Sequence, residues 1–215
     1  MSVLIFLDQS EGHIKKGSLE AASYGAKVAE MIQTNAEGIV LGSIKDDLPA
    51  LGNYGLKKIH TITNDSLNNF DDAVFTDIIA ETAKSTSASV IIFSNNFNGK
   101  AIAPRISARL KAGLVAGAVS LPDLSKGFIV KKSVFSGKAF ANVSVKSDIK
   151  IISLNANAFK IIEGEGTAEI NELKVAIPET RVRVKEVNKV VGEVPLAEAE
   201  IVVSGGRGLK GPEKW

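Results

Sequence analysis

Apolar positions fall along this chain in two rhythms, one suited to buried strands and one to helices. Residues 3–7 form an unbroken apolar run closed by Asp8, the pattern of a central parallel strand buried on both faces. Over residues 18–32, Leu19, Ala22, Ala26 and Ala29 recur at three- and four-residue steps and predict a helix, with Ser18 as its N-cap. Residues 38–41, closed by Gly42, and residues 58–63 predict two more strands. The clearest helix follows, with Asn69 or Asp71 as its cap and Val74, Phe75, Ile78 and Ile79 as its apolar stripe. Residues 90–93 then read as a buried strand. Asn98-Gly99 turns the chain into a third helix on Ile102, Ile106 and Leu110, with Pro104 near its first turn. This β-α-β-α-β alternation predicts an α/β fold, a doubly wound parallel sheet with right-handed crossovers.

The rhythm changes after about Leu124. Residues 128–134, 139–146 and 150–154 are short runs separated by Ser136-Gly137 and Ser147-Asp148, and they predict antiparallel strands added to one sheet edge. Residues 169–177 and 181–187 flank Pro178 and predict a further pair. Residues 188–199, holding Gly192 and Pro195, have linker composition. Beyond them an apolar run, Ile201-Val202-Val203, enters Ser204-Gly205-Gly206-Arg207-Gly208-Leu209-Lys210-Gly211-Pro212. The expected organisation is therefore an α/β domain over 1–187, a linker over 188–199, and the first strand of a second α/β unit over 200–215.

Composition narrows the chemistry. Hydrophobic residues make up 45% and charged residues 23%, ordinary for a globular chain with a sizeable core. The formal net charge is +2, too balanced for a nucleic-acid binder that relies on phosphate neutralisation. Cysteine is absent, which excludes disulfides, thiolate catalysis and cysteine-bound metals. With only His13 and His60, no His-rich metal site is expected. No apolar run is long enough to cross a bilayer, and no basic leader precedes the first strand, so a cytoplasmic, prokaryotic protein without membrane insertion is expected.

The tail is the most pointed chemical feature. Gly206-x-Gly208-x-x-Gly211 fits the spacing of a dinucleotide fingerprint, after a strand and before a possible helix start. Glycines let backbone amides approach an anion, and Arg207 between them adds charge. A plain glycine-rich turn with a surface arginine has the same pattern. It is not a Walker loop, because Lys210 lacks the adjacent Ser or Thr that would hold magnesium. Other candidates have quieter readings. His13 follows the first strand, where open α/β sheets place ligands, but it reads as an exposed loop histidine. His60 lies in a strand and reads as structural. Ser94-Asn95-Asn96-Phe97-Asn98-Gly99-Lys100 suits an anion site or a capping loop, and Asp46-Asp47 and Asp71-Asp72 suit a turn and a helix start. No nucleophilic triad and no catalytic residue is indicated.

At Val202-Val203-Ser204-Gly205-Gly206-Arg207-Gly208-Leu209-Lys210 the chain resembles the α-subunit of electron transfer flavoproteins. Residues 99–110, of glycine, basic, apolar, Ala-Pro-Arg type, and the aromatic-glycine hairpin at 135–141 are similar to the same family in the same order. The resemblance departs at Lys132-Ser133-Val134, at residues 113–118 and at Glu213-Lys214-Trp215. It implies a nucleotide α-hydrolase-like first domain, followed by the start of an FAD-binding domain whose remainder is absent. It also implies a heterodimer with a β-subunit that holds AMP. The flavin would accept electrons from dehydrogenases, as in fatty acid β-oxidation, and pass them to a quinone reductase or another acceptor, without substrate turnover by the chain itself. Ser204, Gly205, Gly206, Arg207 and Gly208 would be the cofactor-binding residues. This fragment alone is expected to hold FAD poorly. Two alternatives stay open: an NAD-dependent oxidoreductase with a Rossmann domain starting near Ile201, and a regulatory module binding ATP or AMP on the loops after Leu7 and Phe93.

Overall fold

Burial of a parallel sheet on both faces organises the structure. The computed structural model describes residues 1–180, 182, 184–186, 196, 199 and 201–214. The chain runs through β1 (Ser2–Phe6), a small hairpin of β2 (Gln9–Ser10) and β3 (His13–Ile14), α1 (Lys16–Met31), β4 (Asn35–Leu41) and β5 (Lys58–Ile62). Then come α2 (Asp72–Ser85), β6 (Ala88–Ser94), α3 (Phe97–Leu110), β7 (Gly113–Ala118), β8 (Ile129–Val134), β9 (Ala139–Ser144), β10 (Lys150–Leu154) and β11 (Glu169–Glu172). Nine strands join in the order β11-β5-β4-β1-β6-β10-β7-β8-β9. The seven from β11 to β7 are mutually parallel, and β8 and β9 pair antiparallel at one edge.

The unbroken apolar run at the start of the chain follows from this layering. Val3, Ile5 and Leu7 face α1, meeting Ala21, Ala22, Tyr24 and Val28. Leu4 and Phe6 face the other way, toward Phe75, Ile78 and Ile79 of α2 and Ile102 and Ile106 of α3. Each fully buried branched side chain of this kind contributes about 2 kcal/mol relative to exposure. Asp71 caps α2, its Oδ1 accepting from the amides of Ala73 and Val74, so the capping expectation holds there.

Several local expectations change. Ser18 does not cap α1. The helix begins at Lys16, and Ser18 lies buried inside it, donating its hydroxyl to the Asp8 carbonyl at 2.9 Å. Helix α3 begins at Phe97, because the side chain of Asn96 accepts from the Gly99 amide at 2.9 Å. Pro104 is therefore interior, where it removes the amide that would bond the Lys100 carbonyl. Strand β10 is no edge addition. It runs parallel between β6 and β7, with Ile151 opposite Ile91 and Ile152 opposite Val115. Strand β7 sets Leu114 and Val115 among Gly and Ala, and no strand is predicted there from the sequence. Strand β11 pairs parallel with β5 instead of with residues 181–187, a segment lying partly outside the described residues.

One face of α1 also fixes the long connection after β10. Tyr24 donates its hydroxyl to the Ser120 carbonyl at 3.0 Å and packs edge-on against Phe159. Ser23 donates to the Ile162 carbonyl and accepts from its amide. Glu20, 4% exposed, accepts from the Asn157 amide at 2.8 Å. Burial raises the Glu20 carboxyl above its usual 4.5, partly offset by that amide and by the charge of Lys16.

The described residues divide into two compact units, Met1–Arg183 and Val184–Trp215. The expected linker over 188–199 lies almost wholly outside the described residues. In the second unit, residues 201–203 form no strand, the state of a strand-forming run that has no ladder partner to satisfy its amides and carbonyls.

Because the folded-state pKa of Glu20 is raised, the folded protein binds its proton more tightly than the unfolded chain. Its ionisation therefore subtracts stability as pH rises above 4.5. Glu20→Gln keeps an oxygen for the Asn157 amide and removes the charge. Thermal melts across pH 4 to 8, on the order of the window where carboxyls titrate, should show a flatter stability profile and an unchanged or higher melting temperature at neutral pH.

Candidate functional site

Doubly wound sheets bind ligands beyond the carboxyl ends of their strands, where the winding reverses. Here the reversal falls between β1 and β6. From β1 the chain moves through α1 to β4, on one face of the sheet. From β6 it moves through α3 to β7, on the other. Asp8 stands just past β1, and the Asn-rich loop stands just past β6.

The sequence reading treats these segments separately, and the fold brings them together. Asp8 is 4% exposed. Its Oδ2 accepts from Lys15 Nζ at 2.8 Å and from Asn96 Nδ2 at 2.7 Å, while Oδ1 accepts from Asn98 Nδ2 at 2.9 Å. The network continues sideways. Asn95 donates to Asn155 Oδ1, and Ser153 donates to Asn95 Oδ1, both at 2.7 Å. Two glycines permit this closeness: a Cβ on Gly99 would stand 1.9 Å from the Ser94 carbonyl oxygen, and one on Gly17 would stand 2.7 Å from Ser94 Oγ. Beside Asp8 only about 40 Å³ remains, between Phe6, Leu41, Leu67, Phe70 and Phe75. That is about one water's share of volume, against several hundred Å³ for a nucleotide site.

The histidines fall in two different settings. His13 is exposed, on β3, with Nδ1 2.7 Å from Asp46 Oδ1. Asp46 is held below its usual 3.8 by the Ile14 amide foremost, which outweighs the opposing effect of burial, with His13 adding to the lowering. His60 is buried in β5 between two strands: Nε2 lies 2.9 Å from Glu37 Oε2 on β4, and Nδ1 lies 3.0 Å from Asn171 Nδ2 on β11. With Asn171 Nδ2 donating to Nδ1, Nε2 is the ring nitrogen that donates a hydrogen bond to Glu37 Oε2. His60 thus ties three strands together.

The five expected cofactor residues, Ser204, Gly205, Gly206, Arg207 and Gly208, are all exposed. Arg207 opens a short turn over Arg207–Leu209, closed by Leu209 N–H to the Gly206 carbonyl at 3.0 Å and Lys210 N–H to the Arg207 carbonyl at 3.1 Å. Nothing lies within 4 Å of where a Cβ would stand on Gly206 or Gly208, so the backbone there is open to a ligand.

A family model described as electron transfer flavoprotein domain matches residues 3–178. The chain belongs to that family. It is 26% identical over 220 residues to Protein FixB of Clostridium saccharobutylicum, covering 99% of this chain and 66% of the relative. It is 25% identical over 215 residues to the electron transfer flavoprotein subunit alpha of Syntrophomonas wolfei, covering 97% and 66%. It is 24% identical over 218 residues to the protein of that name from Bacillus subtilis, covering 98% and 66%. The chain thus spans just under two thirds of the length of these relatives. Among the described residues no helix is long and apolar enough to cross a membrane, and no cluster of His, Asp or Glu could hold a metal ion.

Within this family fold, the switch-point crevice is occupied by the chain's own carboxylate and its partners. A buried carboxylate stands where an anion would sit, and the cation and amides that could bind an anion already serve Asp8. Sequence reasoning registers Asp8 only as the end of a strand. Its position at the carboxyl end of a central strand was the available signal, and the Asn-rich loop was the other half. AMP and ATP should give no saturable heat by calorimetry with this chain, whereas tight binding of either would mean that the network opens. Asp8→Ala strands Lys15, Asn96 and Asn98 without their acceptor, and it should cost about 1–3 kcal/mol in denaturant unfolding.

Proposed function

We propose that the chain is the first domain of an electron-carrier subunit, an α-subunit of the electron transfer flavoprotein type, followed by the opening turn of its FAD-binding domain. The single observation carrying this reading is the match to proteins named subunit alpha over nearly the whole chain. The open glycine-arginine turn supports it. In this reading Met1–Arg183 is scaffold, in keeping with its occupied crevice, and the chain carries electrons without turning over a substrate of its own.

Bound FAD supplies the redox chemistry by taking and releasing electrons. Residues 204–208 fit an anionic cofactor on their own terms. Gly206 and Gly208 leave the backbone approachable, the Ser204 hydroxyl can donate, and the Arg207 guanidinium is exposed and always charged. Arg207 neutralises and orients the phosphates, and the glycines admit the ligand to the amides between them. A second, β-type subunit completes the heterodimer and holds AMP. Electrons arrive from dehydrogenases, such as those of fatty acid β-oxidation, and leave to a quinone reductase or another acceptor. The setting is cytoplasmic.

The 215-residue chain should lose flavin absorbance on desalting, since one turn gives too few contacts to retain the cofactor. Extended by the remainder of the relatives' length and co-expressed with a β-type subunit, it should stay yellow. In that complex Arg207→Ala should weaken FAD binding about tenfold or more, while Arg207→Lys should restore part of the loss. A complex that is colourless with Arg207 intact would overturn this reading.

A further inference from the structure

A second hollow, separate from Asp8, lies at the carboxyl ends of β5 and β11. It encloses about 310 Å³ between Ser43, Ile44 and Leu48 of the loop after β4, Thr61 and Thr63 of β5 and its exit, and Ile170 and Glu172 of β11. That reaches the range of small-molecule sites, which begins at about 300 Å³. Its floor is set by register. Thr61 lies opposite Glu172 and Ile59 opposite Ile170, across parallel strands about 4.8 Å apart. All four share the face that carries Ile59 into the core beneath α1.

The walls of the hollow are held in place before any ligand arrives. The Lys45 amide donates to the Gly12 carbonyl at 2.9 Å, and Asp46 accepts from the Ile14 amide at 2.6 Å while pairing with His13. The β2–β3 hairpin thus clamps the loop that carries Ile44 and Leu48, both packed partly on the core. From the opposite face, the bond between Asn171 and His60 pins β11. The polar groups inside are not used by the fold. Thr61 is only 8% exposed, yet its hydroxyl has no partner among the described residues. No fully buried side-chain oxygen is left unsatisfied among them, so that hydroxyl opens on the hollow. The hydroxyls of Ser43 and Thr63 and the carboxylate of Glu172 likewise have no partner among the described residues.

We propose that this hollow binds a small aliphatic amine. The ammonium donates to the Glu172 carboxylate and to the Thr61 hydroxyl beside it, and the methylene stem lies against Ile44, Leu48 and Ile170. Three hydroxyls and a carboxylate can all accept, an ammonium offers three donors, and the carboxylate supplies the matching charge. An anion is disfavoured, because no Lys, Arg or His lines the hollow among the described residues. A polyol fits less well: its hydroxyls leave the carboxylate charge unbalanced, and the lining is aliphatic along one wall, with no aromatic face among the described residues. A bound amine bridges β11 to the loop after β4. The inference goes beyond the electron-carrier reading and does not depend on it.

The test is an NMR titration of the ¹⁵N-labelled 215-residue chain with n-butylamine at neutral pH and constant ionic strength, with n-butanol and glucose as comparison probes. The expected result is saturable amide shifts over residues 42–48, 61–63 and 170–172, with a Kd on the order of 1 mM. n-Butanol, which keeps the stem and loses the charge, should bind about tenfold more weakly, and Glu172→Gln should weaken n-butylamine by a similar factor. Thr61→Val should weaken it about threefold. Thermal melts control for folding, and Thr63→Val, at an exposed position, replaces Thr61→Val if that variant does not fold. Absence of saturable shifts up to about 50 mM would overturn the proposal. Shifts scattered over the acidic surface and unchanged by Glu172→Gln would overturn it as well, as would equal binding of n-butanol. Glucose saturating the same amides while n-butylamine does not would assign the hollow to a polyol and overturn the amine. None of these outcomes touches the subunit reading.

Discussion

The buried carboxylate of Asp8 is the constraint on which the carboxyl edge of this sheet depends. An aspartate 4% exposed is tolerable only if its oxygens are fully served. Serving them draws Lys15 from the start of α1 and Asn96 and Asn98 from the start of α3 onto one point. Helices on opposite faces of the sheet are thereby pinned to the same strand end. Asn96 works twice, donating to Asp8 and capping α3 through the Gly99 amide, so the helix start and the seal are one interaction. The crevice that this topology ordinarily leaves for a ligand is used for cohesion.

With the switch point filled by its own carboxylate, the exposed features lie at the periphery: the open glycine-arginine turn at one end of the sequence and the hairpin carrying Phe135 and Phe140 at one edge of the sheet. Both are exposed and locally simple, and neither has a partner within the described residues. His60 follows the opposite logic. It reads as structural in sequence, and its two nitrogens are spent on Glu37 and Asn171 and bind β4, β5 and β11 together.

The sequence made legible those features that depend on local pattern. Residues 3–7 announced a strand buried on both faces because five consecutive apolar side chains have no other economical home. The cap at Asp71 and the stripe of Val74, Phe75, Ile78 and Ile79 followed from helical spacing. Features decided by distant partners were not legible. Strand β10 has the same short apolar run whether it sits at an edge or between β6 and β7, and only the packing of Ile151 and Ile152 on both faces decides. Strand β7 has only Leu114 and Val115 as large apolar residues, set between the small Gly113, Ala116, Gly117 and Ala118, which suit close approach but leave a weak signature. Ser18 has the chemistry of a cap, yet its hydroxyl is drawn to the Asp8 carbonyl inside the first turn of α1.

The tail shows the same limit from the other direction. Its glycines and arginine are readable because the chemistry of anion binding is local, written in residue types at fixed spacing. Its strand is not realised, because a ladder is a property of two segments and residues 201–203 have no second one among the described residues. A motif can thus be legible where its strand is not. Gly206 and Gly208, with nothing near their missing side chains among the described residues, leave the backbone accessible. Residue types at fixed spacing are local properties of the chain, whereas a strand forms only when a second segment pairs with it.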